Sequence, residues 1–200
     1  MLSAAPAVGA VGVVLNQVFI WPQVRRAVQT AEGIAALTVL GGLLARVAWT
    51  AYGAVLGDVA LVVGNVTVAM GFLVLLVVLA RRRQRALALG TVATGLVATV
   101  ALAGIAGHAV LGTLAVVSAA VVNLPQMVRA LSDRHRLAGV SVPTYLLIAT
   151  ASACWLTYGV LRHDPLISAP HLLLLPSALV TAFLAHRSRS HFAKLDPPAT

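Results

Sequence analysis

The residues best equipped for chemistry in this chain are few and regularly spaced. Trp49 and Asn65 lie 16 residues apart, and Trp155 and His171 repeat that interval. An aromatic face beside an amide or an imidazole can hold a molecule by packing and by hydrogen bonds together. Arg46 precedes Trp49 by three residues and so shares its helical face. Tyr52 and Asp58 follow the first tryptophan, and Tyr158, Arg162 and Asp164 follow the second. No nucleophile–base pair accompanies these groups, so an enzyme is not expected. The histidines and the single Cys154 lack metal-ligand spacing, so neither a metal nor a cofactor is expected. Binding without covalent chemistry is what remains.

The elements that must position these residues follow from composition. Of the 200 residues, 60% are hydrophobic and 10% charged, against about 25% charged in a soluble domain. A soluble chain this short has too little polar surface to cover such an interior, so the expected partner is the lipid bilayer. Helical spans of about 20 apolar residues fit residues 1–24, 33–57, 59–80, 140–161 and 165–186. The stretch 86–128 has no Lys, Arg, Asp or Glu. It is too long for one span and divides at the glycine-flanked segment 104–108, giving two more. The expected fold class is therefore an all-α membrane protein with seven transmembrane helices. The uncharged first span, with no basic segment before it, reads as retained rather than cleaved.

The net charge of +9 would suggest nucleic acid in a soluble protein, but here it reports topology. Arg25, Arg26, Arg81, Arg82, Arg83, Arg85, Arg129, Arg134, Arg136, Arg187, Arg189 and Lys194 all fall on one face. They are 12 of the 14 basic residues. Arg162 is alone on the other face, and Arg46 lies inside a span. The basic face is expected to be cytoplasmic, with the N-terminus outside and the C-terminus inside. Thirteen of the basic residues are Arg, a composition that suggests a GC-rich bacterial source and hence a bacterial inner membrane. No nucleic-acid partner is expected.

The chain also repeats itself. A shift of 103 superposes Pro22-Gln23 on Pro125-Gln126 and Arg26 on Arg129. A shift of 106 then matches Thr38 with Thr144, Trp49 with Trp155, Tyr52-Gly53 with Tyr158-Gly159, Asp58 with Asp164, and Asn65 with His171. Each copy has three spans, and the fourth span returns the chain so that both copies run parallel. The expected units are a first three-helix repeat (1–85), a linker helix (86–107), a second three-helix repeat (108–187) and a cytoplasmic tail (188–200). The polar tail after Arg187 is expected to be disordered. Parallel repeats related by an axis along the membrane normal bind their solutes at the repeat interface near midplane. At 1.5 Å per residue, Trp49 and Asn65 lie roughly 10–14 Å from the turn at Asp58.

Two three-helix repeats, each with Pro-Gln at one end of its first helix, resemble the PQ-loop superfamily. The 3+1+3 frame and the two W-x-x-Y-G segments resemble its SWEET and SemiSWEET sugar transporters. The resemblance spans roughly residues 8–186 and implies a sugar uniporter working by alternating access. It implies that Trp49, Asn65, Trp155 and His171 line a central substrate pocket, although His171 stands where the family has Asn. It further implies an extracellular gate of Tyr52, Asp58, Tyr158, Arg162 and Asp164, with Leu56 replacing a second Arg. A single Arg162 can then bridge both aspartates, each Tyr adding a bond. The implied hinges are Pro22-Gln23, Pro125-Gln126 and Pro143, the last matched by Leu37 in the first copy.

The alternatives to these roles are a packing tryptophan, a helix-joining Asn or His, and ordinary interfacial aromatics and charges. Arg46 departs furthest from the pattern, because its counterpart is Ser152. Arg in mid-span costs at least about 3 kcal/mol and so faces a cavity or a partner. It either lines the pathway or is satisfied by backbone carbonyls, a Gln or water. In the pathway it would favour an organic anion or amino acid as cargo. A non-transporting PQ-loop receptor is the reading from another class.

Overall fold

A computed structural model of the chain describes residues 4–29, 36–79, 82–132 and 142–195. They form α1 (Ala4–Gln29), α2 (Ala36–Val55), α3 (Val59–Leu79), α4 (Arg82–Ser132), α5 (Val142–Leu161) and α6 (Pro165–Leu195). Helix α4 is broken at Gly107, with φ 76° and ψ 173°, a conformation glycine adopts because it has no Cβ. Its arms, 82–106 and 108–132, bring the described helical segments to seven. The architecture is three helices, a linking arm and three more helices, with the break inside the segment where the sequence places a turn. Stretches long and apolar enough to cross a membrane occupy Ala4–Pro22, Val59–Val78, Val142–Leu161 and Pro165–Arg187.

The outward faces are apolar. Val63, Val66, Met70, Leu73 and Val77 of α3 are all exposed, and their spacing of three and four residues draws one stripe along the helix. Such a stripe suits lipid. The opposite side of α3 turns Leu61, Asn65, Val68, Leu75 and Leu76 inward.

The α2–α3 and α5–α6 connections are the same turn built twice. Asp58 N donates to Gly53 O and Gly57 N to Ala54 O; Asp164 N donates to Gly159 O and His163 N to Val160 O. This double closure of a helix C-terminus needs a left-handed residue. Gly57 supplies it at φ 65°, and His163 supplies it at φ 53°. In each turn the aspartate then opens the next helix. Asp58 Oδ1 accepts from Leu61 N at 3.0 Å, and Asp164 Oδ1 accepts from Leu166 N at 2.9 Å and Ile167 N at 3.3 Å. These bonds satisfy helix N-terminal amides that would otherwise be orphaned.

Two cores divide the bundle. Around Ala48, Trp49, Tyr52, Leu111, Trp155, Tyr158 and Ile167, residues of both repeats pack together near the turns. Ile20, Val24, Leu43, Val68, Leu75 and Leu76 form a second core within the first repeat, with Val92 of the linking arm packed against it. The linking arm of α4 packs on α2, where Leu44 lies against Gly95.

The C-terminal segment differs from expectation. Helix α6 continues to Leu195, past the point where the sequence suggests a disordered tail. Residues 187–195 contain neither Gly nor Pro, so no residue there breaks the helical backbone. The Arg187 guanidinium also lies 5.4 Å from the Phe183 ring centroid one turn back, a favourable cation–π distance. Pro22, Pro170 and Pro176 sit inside continuous helices. Pro143 is the second residue of α5, where a missing N–H costs no intrahelical bond. The side chains of Gln23, Pro125 and Gln126 lie outside the described residues.

Candidate functional site

The site has three levels, and the aspartates of the two turns form the first. Tyr52 Oη donates to Asp164 Oδ2 at 2.5 Å. Tyr158 Oη lies 2.7 Å from both Asp58 oxygens. Each tyrosine therefore bonds the aspartate of the other repeat, not its own. Arg162 completes one side only, with Nε 3.3 Å from Asp58 Oδ2. The sequence allows this Arg to bridge both aspartates. The ion pair observed is with Asp58, while Asp164 is held by Tyr52 and by its own helix cap. Asp58 is 3% exposed, so its charge depends on these partners. The Arg162 side chain is 45% exposed, so screening keeps its pairing below about 1 kcal/mol. The Tyr–carboxylate bonds, at about 1.5–3 kcal/mol each, dominate.

The tryptophans form the second level. Trp49 meets Tyr52 edge-to-face at 5.8 Å, and Trp155 meets Tyr158 likewise at 5.6 Å. Both tryptophans are buried. Their neighbours include glycines that the sequence reading missed. A Cβ on Gly9 would fall 2.8 Å from Tyr158 Cε2, and one on Gly112 would fall 2.7 Å from Tyr52 Cε2. These glycines are themselves related by the shift of 103, the signal that would have found them. They let α1 approach α5 and the second arm of α4 approach α2. Trp155 also packs on Gly12 and Gly64, where added Cβ atoms would meet it at 3.0 and 3.4 Å.

Gly9→Ala is expected to displace Tyr158 from Asp58 and to lower stability by about 1–3 kcal/mol, the usual range for overpacking. Gly90→Ala, with nothing within 4 Å, is the control. It should cost nothing and gain roughly 0.5–1 kcal/mol from helix propensity. Denaturation midpoints in detergent compare the two.

Arg46 occupies the third level. Its Nη1 donates to Asn65 Oδ1 at 3.1 Å, and Asn65 Nδ2 donates to Leu61 O at 2.8 Å. The side-chain partner of Arg46 is thus the very amide assigned by resemblance to substrate. The Arg46 charge also acts on His171, whose Nδ1 is buried without a hydrogen-bond partner. The bond joins Arg46 of α2 to Asn65 of α3, with His171 on α6 within reach of the Arg46 charge, while Ser152, the counterpart of Arg46, is buried and uncharged. A further polar link ties α1 to α3: Gln17 Nε2 donates to Thr67 Oγ1 at 2.5 Å, and Trp21 Nε1 donates to Gln17 Oε1 at 3.0 Å. Sequence reading passed over Gln17, which has no polar counterpart at the repeat position Ala120.

Beside the first level lies a cleft of about 370 Å³ whose lining includes Tyr52, Leu56, His108, Arg162, His163 and Asp164. No group of three or more His, Cys, Asp or Glu suited to a metal occurs among the described residues.

With the geometry in hand, the chain can be compared with known proteins. Its fold matches the structure of a eukaryotic SWEET transporter with a TM-score of 0.80 and 19% sequence identity, covering 94% of this chain and 97% of that one. No protein-family model and no curated protein matches the sequence. The fold is SWEET-like, an all-α multi-pass membrane architecture. At this identity the likeness concerns the fold.

Proposed function

We propose that the chain is a membrane transporter for a small polar solute of the sugar class, working as a uniporter by alternating access. The crossed bonds Tyr52–Asp164 and Tyr158–Asp58 carry this reading. They fasten the two repeats to each other at the end that, from the charge distribution, faces outward. Behind them come two buried tryptophans and the polar group of Arg46, Asn65 and His171. A fastening of a few hydrogen bonds can be exchanged for water when the outer end opens, and a solute can then reach the tryptophan level.

In this mechanism Tyr52, Asp58, Tyr158, Arg162 and Asp164 act as the outer gate. Trp49 and Trp155 supply apolar faces, Asn65, His171 and Arg46 supply hydrogen bonds, and the prolines at 22, 125 and 143 serve as hinges. Uniport is favoured because the described aspartates sit at the turns rather than along the path. The setting is a cell membrane, bacterial and inner, with the C-terminus cytoplasmic.

Uptake of a labelled solute into proteoliposomes tests the reading. Trp49→Ala should reduce uptake by roughly tenfold or more, the effect of losing one aromatic contact worth about 1.4 kcal/mol. A proton gradient should leave uptake unchanged. Gradient-driven accumulation would contradict uniport.

A further inference from the structure

We infer that the solute carried is anionic: a hydroxyl-rich carboxylate of sugar size, with its charged group held by Arg46. This rests on the transport reading above and narrows its substrate class.

A guanidinium has five N–H donors and a fixed positive charge. At Arg46 one donor is met by the neutral Asn65 amide, which satisfies a hydrogen bond and cancels no charge. The chain has five carboxylates. Asp58 is committed to Tyr158, Arg162 and the α3 cap, and Asp164 to Tyr52 and the α6 cap. Glu32, Asp133 and Asp196 lie outside the described residues. Among the described residues Arg46 has no ion-pair partner. A charge within a membrane span calls for a partner or a water-filled cavity. A carboxylate solute supplies that partner and matches the guanidinium in a bidentate way.

His171 adds an independent observation. Its Nδ1 is buried and unbonded, and it is near enough to feel the Arg46 charge. Buried polar atoms are nearly always bonded, so an unbonded one within electrostatic reach of Arg46 points to a ligand. Imidazole can bond a solute hydroxyl while Arg46 holds the carboxylate.

The test uses the full chain in proteoliposomes, with labelled glucuronate and labelled glucose, and in detergent, with each sugar or chloride added to a thermal-stability assay. Wild type should take up glucuronate roughly tenfold faster than glucose, and an inside-positive potential should speed that uptake. Arg46→Gln should abolish it, and Arg46→Lys, which keeps the charge, should restore part. Glucose moving as fast as glucuronate, or Arg46→Gln leaving glucuronate uptake intact, would overturn the inference. Equal stabilisation by chloride and glucuronate, both lost in Arg46→Gln, would also overturn it, making Arg46 the seat of a resident inorganic anion. Glucuronate stabilisation that needs Arg46 but comes without flux would uphold the charge preference and overturn transport. The absence of both flux and stabilisation would overturn the inference, and glucose flux alone would overturn it while leaving the transport reading standing.

Discussion

Replacing Asp58 with alanine is expected to destabilise the protein by about 3 kcal/mol and to reduce solute uptake by roughly tenfold or more. The side chain does three things at once. It caps α3 through Leu61 N, a role worth about 1 kcal/mol. It accepts the Tyr158 hydroxyl from the other repeat, a bond to a charged group worth about 1.5–3 kcal/mol. It also pairs with Arg162, which adds little because that side chain is largely in solvent. Only the second and third interactions join the repeats. Losing them biases the equilibrium away from the outward-closed state by roughly tenfold to several hundredfold. Asp58→Asn separates the roles. An amide oxygen can still cap the helix and accept from Tyr158, so this variant should lose only about 1 kcal/mol. Denaturation and uptake measured on both variants check the ranking. If Asn were as damaging as Ala, charge pairing rather than the tyrosine bond would be holding the repeats together.

Trp155→Ala is the second large effect, with an expected loss of about 3–5 kcal/mol. Trp155 is packed against Gly12 of α1 and Gly64 of α3 and edge-on to Tyr158. Its removal opens a cavity at the contact between repeats, and the neighbouring glycines have no side chains with which to fill it. Trp49→Ala should cost less. The repeat position matching Gly12 is Ala115, which is buried in the same core as Trp49 and carries a methyl group where Gly12 has none. Thermal unfolding of the two variants in one detergent should rank Trp155→Ala as the less stable. The reverse order would show that the two repeats do not share their load as the glycine pattern indicates.

Much of this was legible in the residues, for identifiable reasons. Spans follow from the absence of charge, and a fourth helix is required once two three-span copies must run parallel. The repeat shifts of 103 and 106 put the same residue types at both turns, so the gate candidates stand out by type. Their pairing does not. That Tyr52 reaches Asp164 while Tyr158 reaches Asp58 depends on how α1 and α5, and α2 and α4, approach one another, which is set by Gly9 and Gly112. A glycine in an apolar span carries no visible chemistry until its neighbour is known. Similarly, the spacing puts Arg46 and Trp49 on one face of α2 but says nothing of Asn65 across the helix pair, so the Arg46–Asn65 bond was hidden. The polar composition after Arg187 suggests disorder, yet no residue between Arg187 and Leu195 interrupts a helix, and α6 runs to Leu195.

Alternating access means that one solute site is exposed in turn to the two sides of the membrane. Counterflow tests it most directly. Proteoliposomes loaded with unlabelled glucose and glucuronate are diluted into trace labelled solute, and internal label is followed in time. Alternating access gives a transient accumulation of label above equilibrium, reduced roughly tenfold or more by Asp58→Ala and by Trp49→Ala. A wild-type protein that is folded and inserted yet shows no overshoot with either solute would contradict it.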